Sequence, residues 1–163
     1  MSTERIRPMK KNVYDTMPKA KHIIVDPDAC SGCLTCELAC AARHFDGLCD
    51  RELSAITIDA DMLDYHFDYM VCKQCKTASC AAVCPKDAIF FDEQTGARCI
   101  DKDKCVRCGA CAKACPFSDG RLPAIRKVTK YNSKFIIKCD LCHGFEDGPY
   151  CVQVCPKAAI HLK

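Results

Sequence analysis

Sixteen of the eighteen cysteines in this 163-residue chain fall into four groups of four. The first is "CSGCLTCELAC", with Cys30, Cys33, Cys36 and Cys40, and the second is "CKQCKTASCAAVCP", with Cys72, Cys75, Cys80 and Cys84. The third is "CVRCGACAKACP", with Cys105, Cys108, Cys111 and Cys115. The fourth, "CDLCHGFEDGPYCVQVCP", holds Cys139, Cys142, Cys151 and Cys155, with its third cysteine displaced by the insert 143–150. A Cys-x-x-Cys-x-x-Cys loop wraps three thiolates around one cuboidal iron-sulfur cluster. A fourth cysteine, after three intervening residues and followed by proline, points to a neighbouring cluster. The third quartet meets every part of that pattern.

Two other chemistries compete for dense cysteine. Zinc takes four thiolates as two Cys-x-x-Cys pairs across a longer loop. Only the fourth quartet approaches this, and its second pair is Cys-x-x-x-Cys. Disulfides need an oxidising compartment. The N-terminal stretch "MSTERIRPMKKNVYDTMPKAKHIIV" has no apolar run of signal-peptide length, and Arg5 and Arg7 are not adjacent as a twin-arginine signal requires. A cytoplasmic chain whose thiols hold metal is the expectation. No apolar stretch approaches the roughly 20 residues of a membrane span, so direct membrane insertion is not expected. The formal charge is +3, with Lys and Arg dispersed along the chain, so no nucleic acid partner is expected. No nucleophile-base pair, phosphate-binding glycine loop or paired-carboxylate signature occurs. The chain is therefore not expected to be an enzyme by itself, and no catalytic residue is assigned.

The segments around the cysteines repeat as well. "VDPDAC" before the first quartet matches "IDKDKC" before the third, and "VCPKDAIFF" after the second matches "VCPKAAIHL" after the fourth. Between quartets two and three, Ile89–Phe91, a break at Gln94–Gly96 and Cys99–Asp101 read as a hairpin. By the same logic "KHIIV" supplies a strand before the first quartet and "AIHLK" ends the chain on one. Placing these last two side by side nests one unit within another. The expected fold class is α+β: two nested bacterial-ferredoxin-like units, with short β-hairpins and short helices around four iron-sulfur clusters. The expected domains are an N-terminal arm at 1–20, an outer unit of 21–65 plus 118–163, and an inner unit of 66–117. "ELACAARH" reads as a short helix, and 54–59 and 134–138 read as short strands. Residues 116–134, with two prolines and five basic residues, read as a linker.

Cross-donation within each hairpin unit then assigns ligands. In the inner unit Cys72, Cys75, Cys80 and Cys115 would hold one cluster, and Cys105, Cys108, Cys111 and Cys84 the other. In the outer unit the sets are Cys30, Cys33, Cys36 and Cys155, then Cys139, Cys142, Cys151 and Cys40. Four 4Fe-4S clusters use sixteen cysteines once each and turn the chain into a net anion. Lys73, Lys76, Arg107, Lys113, Lys138 and Lys157, within or beside the motifs, would offset that charge and raise potentials. Cys49 and Cys99 stand outside the scheme and read as packing residues. The insert 143–150, with two glycines and a proline, reads as a surface loop over an outer cluster, where a redox partner could dock.

Over residues 22–163 this arrangement resembles the four-cluster ferredoxin-like electron-transfer subunits of multisubunit oxidoreductases. Two details carry the likeness most closely: Cys40 lacks a following proline, and "KCDLC" opens a quartet with long internal spacing. The family pairs quartet one with four and two with three, as above. The resemblance implies electron transfer between a catalytic oxidoreductase subunit and a further redox subunit or carrier. It also allows self-association into a cluster-lined filament. The short chain is more similar to small subunits of tungsten or molybdenum aldehyde oxidoreductase, carbon monoxide dehydrogenase or hydrogen-dependent carbon dioxide reductase, with the aldehyde oxidoreductase preferred. A free soluble polyferredoxin is the alternative.

Overall fold

The computed structural model describes residues 21–118 and 120–163, so the arm expected at 1–20 lies outside the described residues. Four two-stranded antiparallel pairs carry four short helices among those residues, an α+β arrangement. Ile23–Val25 (β1) pairs with Ile160–Leu162 (β8), Val25 facing Ile160. Ile89–Phe91 (β4) pairs with Arg98–Ile100 (β5), Ile89 facing Ile100. Both pairings are those expected from the repeated flanks. The remaining pairs are Ile56–Asp61 (β2) with His66–Val71 (β3), and Arg126–Lys130 (β6) with Ser133–Ile137 (β7).

The β1–β8 and β4–β5 pairs repeat one construction atom by atom. Asp26 Oδ1 accepts from the amides of Asp28 and Ala29, and Asp101 Oδ1 does the same for Asp103 and Lys104. Asp26 N donates to Ala159 O and Asp101 N to Ala88 O, each at 2.8 Å. Aspartate at these turns supplies an acceptor for its own next amides, which pins the chain entering each cysteine loop.

Residues 116–134 are not all linker: β6 lies within them. Its side chains alternate half-buried and exposed, so one face is covered although only Val128 is aliphatic. The turn to β7 is Tyr131-Asn132, both with positive φ (51° and 57°), which fits the twist of a two-residue hairpin. Tyr131 Oη donates to Asp50 at 2.7 Å, and Lys130 pairs with Asp50 and Glu52. The hairpin is thereby fastened to the 3-10 turn Arg51–Leu53. The drawn boundary between residues 65 and 66 falls in the β2–β3 turn.

Thr35–His44 (α1) packs on Tyr150–Gln153 (α4), and Ser79–Ala82 (α2) packs on Ala110–Ala114 (α3). Helices of quartets one and four are thus together, as are those of two and three. One apolar cluster gathers Ile23, Val25, Ile56, Ile58, Val71 and Ile160, and a second Ala78, Ala81, Ile89, Ala124 and Ile125. Cysteines of the quartets belong to both. No helix among the described residues is long and apolar enough to cross a membrane.

Candidate iron-sulfur sites

The cysteine loops share an unusual backbone. In Cys30–Cys36, Gly32 and Leu34 have φ of 65° and 61°. At the same positions of Cys105–Cys111, Arg107 and Gly109 have 55° and 87°. In the other quartets Gln74 (49°) and Leu141 (56°) take the matching place after Cys72 and Cys139. After the Cys-Pro-Lys runs, Asp87 (48°) and Ala158 (47°) repeat it again. Alternating right- and left-handed residues turn successive N–H groups to one side and form concavities that bind anions. The same segments send amides to sulfur: Ala88 N to Cys84 Sγ at 3.2 Å, Ala159 N to Cys155 Sγ at 3.3 Å, and Ala55 N to Cys40 Sγ at 3.4 Å.

Thiols of different quartets meet around cavities. Cys72, Cys75, Cys80 and Cys115 line one of about 210 Å³. Smaller cavities are lined by Cys84, Cys105, Cys108 and Cys111, and by Cys30, Cys33, Cys36 and Cys155. Each wall adds apolar groups and cations, such as Lys86 with Arg107, Lys157, or Arg98 with Lys138, and no carboxylate. This donor set suits an anionic, thiolate-bound group. Cys40 and Cys151 share the first apolar cluster, with Cys139 packed against it, and burial pushes the Cys142 thiol up to about 11, with Cys40 adding to the rise. Among the described residues no three His, Cys, Asp or Glu side chains converge as ligands of a single ion.

Burial sets the state of the free thiols. It raises Cys36 to about 12, with Glu37 adding, and lifts Cys151, with Cys40, Cys142 and Cys36 adding. Cys139 stands well above the ordinary thiol range through burial, with Cys72 and Cys40 adding to the rise. Exposed Cys33 goes the other way because Thr35 hydrogen-bonds it. Loading therefore displaces protons from the buried thiols. Contacts also order the quartets: α1 packs on α4, Gln74 of the second quartet bonds Cys139 O of the fourth, and α2 packs on α3, giving one line from the Cys30 set to the Cys105 set.

Three buried polar residues occupy the middle of that line. Gln74 Nε2 donates to Cys139 O at 2.8 Å, and Gln74 Oε1 accepts from Arg98 N at 2.9 Å. Arg98 Nη1 donates to Gln74 O at 3.0 Å. Lys138 Nζ donates to Arg98 O and, at 3.0 Å, to Cys139 O. Burial works against the Lys138 charge, but Cys72, Cys80, Cys139 and Cys99 more than offset it, so its pKa stands above the ordinary value. Of the six cations expected to balance cluster charge, Lys138 alone is classed as buried. Gln74 and Arg98 carried no signal in the sequence beyond their place beside a cysteine.

The insert 143–150 is exposed at 144–147 but firmly held. Arg43 pairs with Asp147 and lies 4.2 Å from the Phe145 ring centroid and 4.7 Å from that of Tyr150. His44 Nε2 is 3.6 Å from Asp140 and 3.7 Å from Cys142 Sγ, and burial lowers its pKa. The two extra cysteines differ. Cys99 is 2% exposed within the apolar cluster, where burial raises its thiol to about 12. Cys49 is exposed, so the packing role expected for it is corrected: it follows the turn after α1, its Sγ 3.6 Å from Gly47 O.

Short strand pairs carrying four-thiol cavities define an iron-sulfur protein that binds 4Fe-4S clusters and works in electron transport. Residues 63–163 match the family model of the 4Fe-4S dicluster domain, and the chain belongs to that family. It is 36% identical over 136 residues to the aliphatic sulfonate oxidoreductase, polyferredoxin-like subunit, of Pyrococcus furiosus, covering 83% of this chain and 72% of that one. It is 32% identical over 155 residues to the electron transport protein HydN of Escherichia coli, covering 86% of each. A solved chain of the active site complex BamBC of benzoyl coenzyme A reductase matches at TM-score 0.45 and 21% identity, covering 88% of this chain and 79% of that one.

Proposed function

We propose that the chain is the electron-transfer subunit of an oxidoreductase complex. It relays single electrons through four 4Fe-4S clusters between a catalytic subunit and another redox partner in the cytoplasm. The ligand sets are Cys30, Cys33, Cys36 and Cys155; Cys40, Cys139, Cys142 and Cys151; Cys72, Cys75, Cys80 and Cys115; and Cys84, Cys105, Cys108 and Cys111. The observation that carries this is the mixing of quartets: in each lined cavity three thiols come from one quartet and the fourth from its partner. A 4Fe-4S cluster supplies a one-electron carrier whose potential its surroundings tune. The chain's own contribution is to hold four such sites in a line and to keep every thiol of the inner two off the exposed surface. Cys33 and Cys108, exposed at opposite ends of that line, give electrons an entrance and an exit.

The outer and inner ferredoxin-like units would then be 21–65 plus 118–163, and 66–117. A polyferredoxin-like oxidoreductase subunit among the relatives supports a subunit role. A tungsten or molybdenum aldehyde oxidoreductase is the partner class we favour. Anaerobic purification of the native protein tests the reading. A co-eluting catalytic subunit, with about sixteen iron and sixteen sulfide per chain, supports it. A lone monomer makes the chain a free polyferredoxin, and a larger self-assembly indicates a filament. Stoichiometric zinc overturns the cluster reading.

A further inference from the structure

A charge buried in the middle of an electron path acts on that path more strongly than one at its rim, because water and salt screen it less. Lys138 is 8% exposed, and Arg98, which lines the same cavity, is 1% exposed. Cations at the other lined cavities, Lys86, Arg107 and Lys157, are exposed. The Cys72, Cys75, Cys80 and Cys115 cavity is therefore set apart by the charge of its wall.

The arrangement also leaves Lys138 in need of an anion. An ammonium has three donors, and two go to the carbonyl oxygens of Arg98 and Cys139, which carry no net charge. Burying an uncompensated charge is strongly unfavourable. An anionic group in the cavity that Lys138 lines supplies the compensation, and one more negative charge there is compensated better still. Arg98 adds a second buried cation, and Gln74 locks both the arginine backbone and the Cys139 carbonyl in place.

We propose that Lys138 sets the reduction potential at the junction of the two halves, making the group held by Cys72, Cys75, Cys80 and Cys115 the first of the four to accept an electron. The proposal rests on the ligand sets above and assigns to one of them a place in the energetic order of the relay. Lys138 acts on the electron through space, and it adds no ligand and transfers no proton. An electron entering at either end of the line would fall to this site and leave it uphill, so the junction stores one electron between turnovers.

The test is an anaerobic redox titration followed by electron paramagnetic resonance on the full-length protein. Cys80→Ser identifies the signal of this site. Lys138→Met, which keeps the length and removes the charge, is expected to lower the reduced-to-oxidised ratio of that signal about tenfold at fixed potential, a shift of about 59 mV for one electron. Lys138→Arg is expected to restore it, and Lys76→Met, whose exposed charge beside the same quartet is screened by water, to shift it far less. Lys138→Gln serves if the methionine variant does not load. An unmoved potential in a fully loaded Lys138 variant overturns the proposal while the four-cluster reading stands. Equal shifts from Lys138→Met and Lys76→Met overturn it too. If the native protein holds fewer than about sixteen iron, or Cys80→Ser disturbs a signal other than the shifted one, the ligand sets fail and the proposal falls with them.

Discussion

The halves proposed as outer and inner are built from the same parts, yet α1 has ten residues and its counterpart α3 has five. The cause is one residue. Cys115 is followed by Pro116, which lacks an amide and disfavours helix in the residue before it, so α3 stops at Ala114. Cys40 is followed by Ala41, and α1 runs on to His44. The added residues include Arg43 and His44, and these hold the insert of the fourth quartet through Phe145, Asp147, Tyr150 and Asp140. The second quartet has no such insert, and the inner helix has no such extension. The two departures of the outer half from the common plan are thus one device, a longer helix that clasps a longer loop.

The deepest feature proposed for both halves is the crossing of the fourth cysteine, and the largest expected effect breaks it. Cys155→Ala is expected to remove about four of sixteen iron per chain, with the loss at the site of Cys30, Cys33 and Cys36. Cys84→Ala should do the same at the site of Cys105, Cys108 and Cys111. Iron analysis and the Mössbauer spectrum of each variant check both. Loss at the variant's own quartet in either half would end the crossed assignment.

A second variant rewrites the outer half in the manner of the inner. Ala41→Pro places proline after Cys40, as Pro116 follows Cys115. The expected result is a helix that ends early and a stability loss of about 3 kcal/mol or more, with Ala41 fully buried and its carbonyl accepting from Phe45 N at 2.9 Å. The insert should then lose its hold on Arg43 and become the fastest-exchanging segment of the outer half. Hydrogen exchange of residues 143–150 reads this directly. Unchanged protection there would separate the helix extension from the loop and sink the single-device account.

The parts that repeat were the parts legible in the sequence. The β4–β5 and β1–β8 pairs followed from matching flanks, and α1 from the run "ELACAARH" after Cys36. β6 was not legible because "RKVTK" carries three basic residues in a segment holding two prolines, and its cover comes from a partner strand rather than from its own apolar content. β3, "HFDYMV", was missed for another reason: Phe67 and Val71 are buried, but His66, Asp68 and the adjacent Tyr69-Met70 pair break a clean apolar-polar alternation. The quartets announced cluster chemistry, but the junction residues did not announce themselves. Gln74, Arg98 and Lys138 meet across 24 to 65 positions of chain, and no local period marks a contact made only after both halves fold. Glu37 is similar: one of the fully buried side chains, it accepts from Ile58 N at 2.6 Å and pairs with Arg51 at 2.5 Å.

The smallest expected effect compares two glycines in the equivalent loops of quartets one and three. Gly32 has φ +65° and Gly109 φ +87°, so alanine at either costs about 1–2 kcal/mol for the left-handed backbone alone. Their surroundings differ. A Cβ at Gly32 would stand 2.6 Å from Phe67 Cε1 and 3.1 Å from Ala60 Cβ, while one at Gly109 would meet Lys127 Cδ at 3.0 Å. The Phe67 ring is buried, 8% exposed, and has nowhere to retreat, whereas the lysine chain can swing into solvent. Overpacking adds about 1–3 kcal/mol, and it falls on Gly32→Ala alone. Anaerobic thermal unfolding of the loaded variants should therefore place Gly32→Ala below Gly109→Ala, with both below the native protein. Equal losses would mean that β3 yields to the new methyl group, and that the outer loop is no more tightly seated against its hairpin than the inner loop against its lysine.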